Sequence, residues 1–170
     1  MEEARKSGIE EETKMEQLLL ARVDDRLIHG QVMTAWMKLL PAKEILIADD
    51  KVAKDPFMTQ VLTMAAPAGV KVKVYSVEEA AKALKDGLKV PSIMLAKTPL
   101  TYEKIVDLGA HIPEINIGGM GISGERKTLY KNIAADPQER DAIRKFLDQG
   151  IQVKIQVIPA DKVVDVAGLL

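Results

Sequence analysis

Cysteine is absent from this chain of 170 residues, which rules out a disulfide framework and a thiolate metal site and fits a reducing compartment. Aromatic residues make up only 4%, too few for the stacking platforms that bind single-stranded nucleic acids. The 24 basic and 25 acidic residues give a net charge of -1, without the basic excess typical of a nucleic-acid surface. No apolar run approaches the roughly 20 residues of a membrane-spanning helix. The composition therefore favours a globular domain and no nucleic-acid partner.

The first 15 residues are mostly charged and lack the apolar region of a secretory signal. We interpret residues 1–15 as a solvated, flexible tail and Met15 as a candidate natural start. Residues 16–170 have the length of one ordinary domain.

Strand-like and helix-like segments alternate through this domain. Strands are predicted at 16–23, 43–50, 70–76, 90–97, 114–119, 127–133 and, as the last strand, 151–159. Helices are predicted at 30–40, 56–69, 76–87, 98–110, 136–150 and, as a short closing helix, 160–170. Capping boxes at Ser76 and Asp136 mark two helix starts. The alternation predicts a single α/β domain with a doubly wound, mostly parallel open sheet and helices on both faces.

Ligands of such sheets bind beyond the carboxyl ends of the strands. This rule places three loops, at 24–29, 49–55 and 118–126, at one edge of the sheet. Charged residues and glycines are concentrated in these loops, so we expect the functional site there.

The stretch ARVDDRLIHGQV, residues 21–32, contains one of only two histidines in the chain. His29 precedes Gly30 and Gln31 at the junction of a strand and a helix, where unpaired helix amides attract an anion. Gly30 allows close backbone approach, and Arg26, supported by Arg22, can clamp a tetrahedral oxyanion. Together these residues predict a phosphate site that contains a nucleophile.

A histidine that attacks phosphorus must be neutral, and both Arg26 and the positive end of the helix favour the neutral imidazole. Phosphoryl transfer needs mainly positioning and charge stabilisation, so a short loop suffices. Asp24 or Asp25 would orient the second ring nitrogen or hydrogen-bond to loop amides.

Two other interpretations of this stretch stay open on the residues alone. One is an ordinary polar loop. The other is a magnesium-dependent aspartyl-phosphate receiver, because Asp24, Asp25, Asp49 and Asp50 end two strands and acidic clusters bind Mg²⁺.

The segment GMGISG matches G-x-G-x-x-G at Gly119, Gly121 and Gly124, yet the next residues, ERKTLYKNI, do not resemble a helix. We therefore favour a flexible glycine-rich loop beside the phosphoryl site over a dinucleotide site. Arg126, at the end of this loop, would contact the phosphoryl group or a partner protein. His111, before a strand, is expected at the opposite edge, without a chemical role.

RVDDRLIHGQV resembles the signature loop of the IIB component of the mannose/fructose/sorbose family of the bacterial sugar phosphotransferase system. The likeness spans residues 16–170 in order. PAKEILIADDKVAKDPF resembles the family's second strand and acidic turn, KTPLTYEKIVDLG its fourth helix, and INIGGMG the loop after its fifth strand. The charged N-terminal tail departs from the family pattern.

The resemblance implies that His29 is phosphorylated on a ring nitrogen by a phosphohistidine of a separate IIA protein. His29 would then pass the phosphoryl group to a sugar that enters through the membrane components IIC and IID, while Arg26 steadies the group. The resemblance implies a cytoplasmic phosphotransferase subunit that is associated with the inner face of the membrane through its permease partners. Such a subunit would require no metal or organic cofactor. A regulatory phosphoprotein of the same fold is the alternative.

Overall fold

The computed structural model describes residues 17–170, in which strands and helices alternate. The predicted tail, residues 1–15 with Met15 as start, lies outside the described residues. The strands are β1 (Leu18–Asp24), β2 (Glu44–Ala48), β3 (Lys71–Tyr75), β4 (Ser92–Ala96), β5 (Glu114–Gly119), β6 (Lys127–Tyr130), β7 (Ile133–Ala135), β8 (Gln152–Ile155) and β9 (Val164–Asp165). The helices are α1 (Gly30–Leu39), α2 (Asp50–Ala53), α3 (Pro56–Ala65), α4 (Val77–Asp86), α5 (Pro99–Asp107) and α6 (Pro137–Asp148), and a 3-10 helix (Val166–Leu169) comes last.

Seven strands form one sheet in the order β3-β2-β4-β1-β5-β8-β9. All neighbours are parallel except β8 and β9, which are antiparallel. Strands β6 and β7 form a separate antiparallel hairpin. This arrangement confirms the predicted doubly wound, mostly parallel α/β domain.

Helices cover both faces of the sheet, and each face has its own apolar core. The core on one face includes buried side chains of α4, α5 and α6, and the core on the other includes side chains of α1, α2 and α3. Every residue of β4 is buried, as expected of a central strand. In β3, at the edge, more exposed and less exposed residues alternate, as its sequence predicts.

The predicted helix starts, apart from the one at residue 160, agree with the structure to within one residue, because their signals are local. Ser76 and Asp136 each form a complete capping box with a glutamate three residues on. Thr98 caps α5, with Pro99 at the first helical position. Across the described residues, no helix is both long and apolar enough to cross a membrane.

The C-terminal prediction is wrong. Residues 160–170 contain β9 and a 3-10 helix in place of a closing α-helix, and the strand predicted at 151–159 ends at Ile155 and is not the last. Val164 pairs with Ile155 across the antiparallel ladder, and β-branched valines fit an extended edge. The single strand predicted at 127–133 is the first arm of a hairpin, and the sequence pattern does not predict α2.

Candidate active site

The loops after β1 and β5 meet at the carboxyl edge of the sheet, because these two strands are neighbours. The loop after β2 lies at the same edge on the far side of β4. Residues 24–29 therefore face the glycine-rich segment 118–126, whereas residues 49–55 are separated from both.

Leu27 fixes the shape of the loop that carries His29. Its φ of 58° is in the left-handed region, which is costly for a branched side chain. Its amide donates to the Asp24 carbonyl at 2.9 Å, which closes the turn. The side chains of Leu27 and Ile28 are buried in the core beneath α1–α3. Burial of these two side chains offsets the strain and leaves the next residue, His29, at the surface.

His29 is the residue that precedes α1, and its carbonyl accepts the Met33 amide at 2.9 Å. Its imidazole is exposed, and within residues 17–170 no group hydrogen-bonds to it. Gly30 and Gln31 form the exposed first turn of α1, where backbone amides have no intrahelical acceptor. The structure thus places an accessible imidazole beside a helix N-terminus, as the sequence predicts.

Arg26 is held by the carboxylate of Asp24. Its Nε donates to Asp24 Oδ1 and its Nη2 to Oδ2, both at 2.9 Å. This hydrogen bonding raises the pKa of Arg26, so the guanidinium stays charged. The side chain is 43% exposed, and its Nη1 has no hydrogen-bond partner among the described residues. A fixed, partly exposed guanidinium with an unused N–H donor can bind a phosphoryl oxygen.

Arg22 lies behind Asp24 and is fully buried. Its Nη2 donates to Asp24 Oδ2 at 3.2 Å, while its Nη1 donates to Asn116 Oδ1 at 2.7 Å and to the Gln156 carbonyl at 3.1 Å. Its guanidinium stacks 5.6 Å from the ring of Trp36. Arg22 therefore supports the loop through Asp24 and does not face the open side of the site.

Burial and hydrogen bonding act in opposite directions on the ionisation of this pair. Burial raises the pKa of Asp24, but hydrogen bonds from Arg26 and the charge of Arg22 outweigh it, so the pKa lies below its usual value. Burial lowers the pKa of Arg22, and the charge of Asp24 opposes that shift. Asp24 is thus an anion between two cations, and no hydrogen bond or ion pair joins it to His29.

Two glycines of β5 make room for these side chains. A Cβ at Gly118 would overlap the guanidinium of Arg22, and a Cβ at Gly119 would overlap the carboxylate of Asp24. At Gly30, among residues 17–170, a Cβ would meet the Ala65 carbonyl oxygen at 3.9 Å and no other atom within 4 Å. Packing among the described residues therefore favours glycine at 118 and 119 and does not require it at 30.

Asp25 connects the histidine loop to the glycine-rich loop. Its Oδ2 accepts the Gly121 amide at 2.8 Å and Arg126 Nη1 at 3.0 Å. Arg126 also binds the buried Glu139 through Nε and Nη2, at 2.8 and 2.9 Å. Thr98 Oγ1 donates to the same glutamate at 2.7 Å. Arg126 is only 12% exposed, and its guanidinium is hydrogen-bonded to Asp25 and Glu139. It therefore links the histidine loop and the glycine-rich loop to helix α6.

The structure argues against two alternatives that the sequence raised, the dinucleotide site that we did not favour and the four-aspartate site that stayed open. The glycine-rich segment leads into β6, whereas a dinucleotide motif requires a helix there. The proposed cluster of four aspartates does not form, because β4 separates β1 from β2. Asp49 caps α2, and Asp50 accepts the Val77 amide at 2.8 Å. Among the described residues, no group of three acidic or histidine side chains is arranged to bind a metal ion.

Sequence reasoning misses several supporting residues. Asn116 is the polar residue in the otherwise apolar stretch INIGG, and a buried polar side chain of this kind signals a specific partner. The sequence indicates only a capping role for Glu139, yet this residue also binds Arg126. The left-handed conformation of Leu27 has no signal in the sequence. His111 lies before β5, at the opposite edge as predicted, and it is exposed.

An exposed histidine at a helix start, in the same loop as a clamped arginine at the carboxyl edge of a doubly wound sheet, is an arrangement suited to phosphoryl transfer. The family described as "PTS system sorbose subfamily IIB component" matches residues 18–170. The chain therefore belongs to this family of sugar phosphotransferase components.

Individual relatives agree with this assignment. The chain is 36% identical over 152 residues to the sorbose-specific EIIB component of Klebsiella pneumoniae, covering 88% of this chain and 93% of that protein. It is 30% identical over 158 residues to the fructose-specific EIIB component of Bacillus subtilis, covering 92% and 97%. The crystal structure of the IIBSor domain of the K. pneumoniae sorbose permease superimposes with a TM-score of 0.81 at 35% identity, covering 89% of this chain and 94% of that chain.

Proposed function

We propose that His29 is the phosphorylated residue of this phosphotransferase component. A ring nitrogen of His29 accepts the phosphoryl group from a phosphohistidine of a IIA protein and passes it to a hydroxyl group of a sugar entering through membrane components IIC and IID. The observation that carries the proposal is the Arg26 guanidinium, fixed on Asp24 in the same loop as the exposed His29.

The chemistry of the loading step is a balanced displacement at phosphorus. The neutral imidazole of His29 forms a new N–P bond while the N–P bond of the donor breaks, and the donor imidazole leaves with the electron pair. The negative charge on the phosphoryl oxygens is stabilised by Arg26 and by the first amides of α1. In the second step a sugar hydroxyl forms an O–P bond, the His29 N–P bond breaks and the hydroxyl proton passes to a base.

This role assigns the chain to the phosphotransferases that use an alcohol group as acceptor. It also places the chain in the cytoplasm, at the inner face of the membrane whenever it contacts IIC and IID. The exposed position of His29 supports the assignment, because two different partners must reach the same imidazole.

The first test is phosphate labelling of the full chain by a purified, phosphorylated IIA protein. Wild type and a His111→Ala control are expected to take up acid-labile, alkali-stable phosphate. His29→Ala is expected to take up none. Labelling that survives in His29→Ala would contradict the proposal, and alkali-labile phosphate would indicate an aspartyl phosphate.

The second test traces the onward transfer of the phosphoryl group. Phosphorylated chain, mixed with membranes that contain IIC and IID, is expected to lose its label to sugar. Retention of the label with a competent set of partners would contradict the transfer step and favour a regulatory role.

A further inference from the structure

A cavity of about 520 Å³ opens beside the histidine loop at the carboxyl edge of the sheet. We call it the hairpin cavity. Its rim includes Arg26, the turn Tyr130–Asn132 of the β6–β7 hairpin, and Asp161 and Lys162 of the β8–β9 loop. Its volume lies within the range of roughly 300–1,000 Å³ that is typical of small-molecule sites.

The floor of the hairpin cavity is apolar. Met120, Ile133 and Ile155 contribute to its lining. The ring of Tyr130 adds an aromatic surface at the wall. A ligand that fits these surfaces presents carbon atoms on one side.

The rim of the cavity is positively charged. Three cations line it: Arg26, Lys131 and Lys162. Of the two acidic residues in the lining, Asp25 forms an ion pair with Arg126 at 3.0 Å. The other, Asp161, accepts the Ile158 amide at 3.4 Å. Because the three cations outnumber the two carboxylates, the lining carries a net positive charge.

Lys131 occupies a backbone position that disfavours lysine. It begins the two-residue turn between the paired Tyr130 and Ile133, and its φ is +46°. Glycine or asparagine adopts this conformation at lower cost. The Lys131 ammonium lies 5.4 Å from the centroid of the Tyr130 ring, at the cavity wall. A strained residue whose charged side chain lines a cavity is a candidate for ligand binding.

We propose that the hairpin cavity binds a small organic phosphate, namely the phosphate monoester of a polyhydroxy compound. The phosphate contacts the cations of the rim, and Asn132 hydrogen-bonds to hydroxyl groups. The carbon skeleton packs against the apolar floor and Tyr130. Sugar phosphates belong to this class, so a product of the transferase reaction is one source of the ligand. Binding does not require phosphorylation of His29.

The experiment is calorimetric titration of the unphosphorylated full chain with mannose 6-phosphate, mannose and inorganic phosphate. Mannose 6-phosphate is expected to bind at least about tenfold more tightly than either of the other two. It alone has both a phosphate for the cations of the rim and a carbon skeleton for the apolar floor. Equal affinity for inorganic phosphate would overturn the proposal, because the cavity would then be a simple anion site. Equal affinity for mannose would overturn it as well.

Substitutions of the cavity lysines test whether mannose 6-phosphate binds in the hairpin cavity. Lys131→Asn and Lys162→Gln are each expected to weaken binding of mannose 6-phosphate by about tenfold, because each removes a charge-assisted contact. Lys104→Gln, an exposed cation on α5, is the matched control and is expected to bind as wild type does. Asparagine tolerates the left-handed turn, so Lys131→Asn is expected to melt at or above the wild-type temperature. Unchanged binding in both cavity variants would overturn the proposal.

His29→Ala separates this inference from the proposed function. The variant is expected to bind mannose 6-phosphate as wild type does, even though it takes up no phosphate from a donor. Loss of binding in His29→Ala would place the ligand at the histidine and overturn the hairpin cavity as the site.

Discussion

Asp24 and Arg26 form a two-pronged ion pair, in which both carboxylate oxygens accept guanidinium hydrogens at 2.9 Å. The same carboxylate also binds Arg22, which is buried against Asn116. A chain of contacts therefore links the exposed cation of the site to the interior of the sheet. Asp25, by contrast, secures the neighbouring glycine-rich loop. The two adjacent aspartates thus have separate structural tasks.

Replacement of Arg26 tests the importance of its geometry apart from its charge. Arg26→Lys retains the positive charge but cannot bind Asp24 through two parallel hydrogen bonds. We expect phosphorylation of the chain by a IIA donor to slow by about 10²–10³-fold, the loss typical of a missing transition-state donor. Because the side chain is 43% exposed, the melting temperature is expected to change little.

The matched control for that substitution is Arg144→Lys, on the exposed face of α6. It is expected to be phosphorylated at the wild-type rate. If Arg26→Lys were also phosphorylated at that rate, the guanidinium would have no special part in transfer.

Asp24→Asn is expected to destabilise the fold at neutral pH. The variant leaves the buried Arg22 without its anion, and loss of one member of a buried pair costs about 3–5 kcal/mol. Urea unfolding at pH 7 is the measurement. A loss below about 1 kcal/mol would contradict the buried pairing.

The destabilisation by Asp24→Asn also depends on pH, with a defined sign. The folded-state pKa of Asp24 lies below its usual value, so the unfolded chain binds its proton first as the pH falls. The stabilisation from the charged carboxylate is complete above the unfolded pKa of about 3.9, and it is lost as the pH falls through the lower folded value. The gap between wild type and Asp24→Asn is therefore expected to be constant from pH 7 to 5 and to narrow below about pH 4. A gap that widens in acid would contradict this assignment.

Glycine at position 118 is expected to be indispensable. A Cβ there would overlap the buried guanidinium of Arg22, which cannot move without breaking its bonds to Asp24 and Asn116. Gly118→Ala should lower the free energy of unfolding by about 2–4 kcal/mol, in the upper range for a single substitution. Gly121→Ala, whose Cβ would lie 3.6 Å from an Asp25 oxygen, is the control and should be nearly neutral. Similar stability of the two variants would contradict the steric argument.

Local signals in the sequence predict a large part of the fold. The apolar run before Asp24 and the helical spacing after Gly30 place His29 at a strand–helix junction, as observed. Capping boxes at Ser76 and Asp136 locate the starts of α4 and α6, because these signals are also local. The C-terminal segment is predicted wrongly because β9 forms only where β8 offers it an edge, which the spacing of residues 160–170 does not reveal.

Long-range pairing explains the remaining differences. The order of the strands, with β4 between β1 and β2, cannot be inferred from hydrophobic periodicity, so the sequence alone leaves the four-aspartate cluster open. Arg22 hydrogen-bonds to Asn116, which is 94 positions away in the sequence. This contact holds the guanidinium where a Cβ at position 118 would overlap it, so glycine is needed there. These contacts depend on which strands are neighbours, and the sequence of each strand alone does not determine that.

The pair formed by Arg126 and Glu139 is expected to be energetically coupled. Arg126→Met would leave the carboxylate of Glu139, only 2% exposed, without its cation, at a cost of about 3–5 kcal/mol. In Arg126→Met with Glu139→Gln the remaining group is neutral, so the double variant should be more stable than the sum of the single losses predicts, by about 1 kcal/mol or more. Denaturant unfolding of the four proteins measures this coupling, and strictly additive losses would contradict it.

The amide of Gly121 should also exchange faster in Arg126→Met, because Asp25 then loses the guanidinium that holds its carboxylate on that amide.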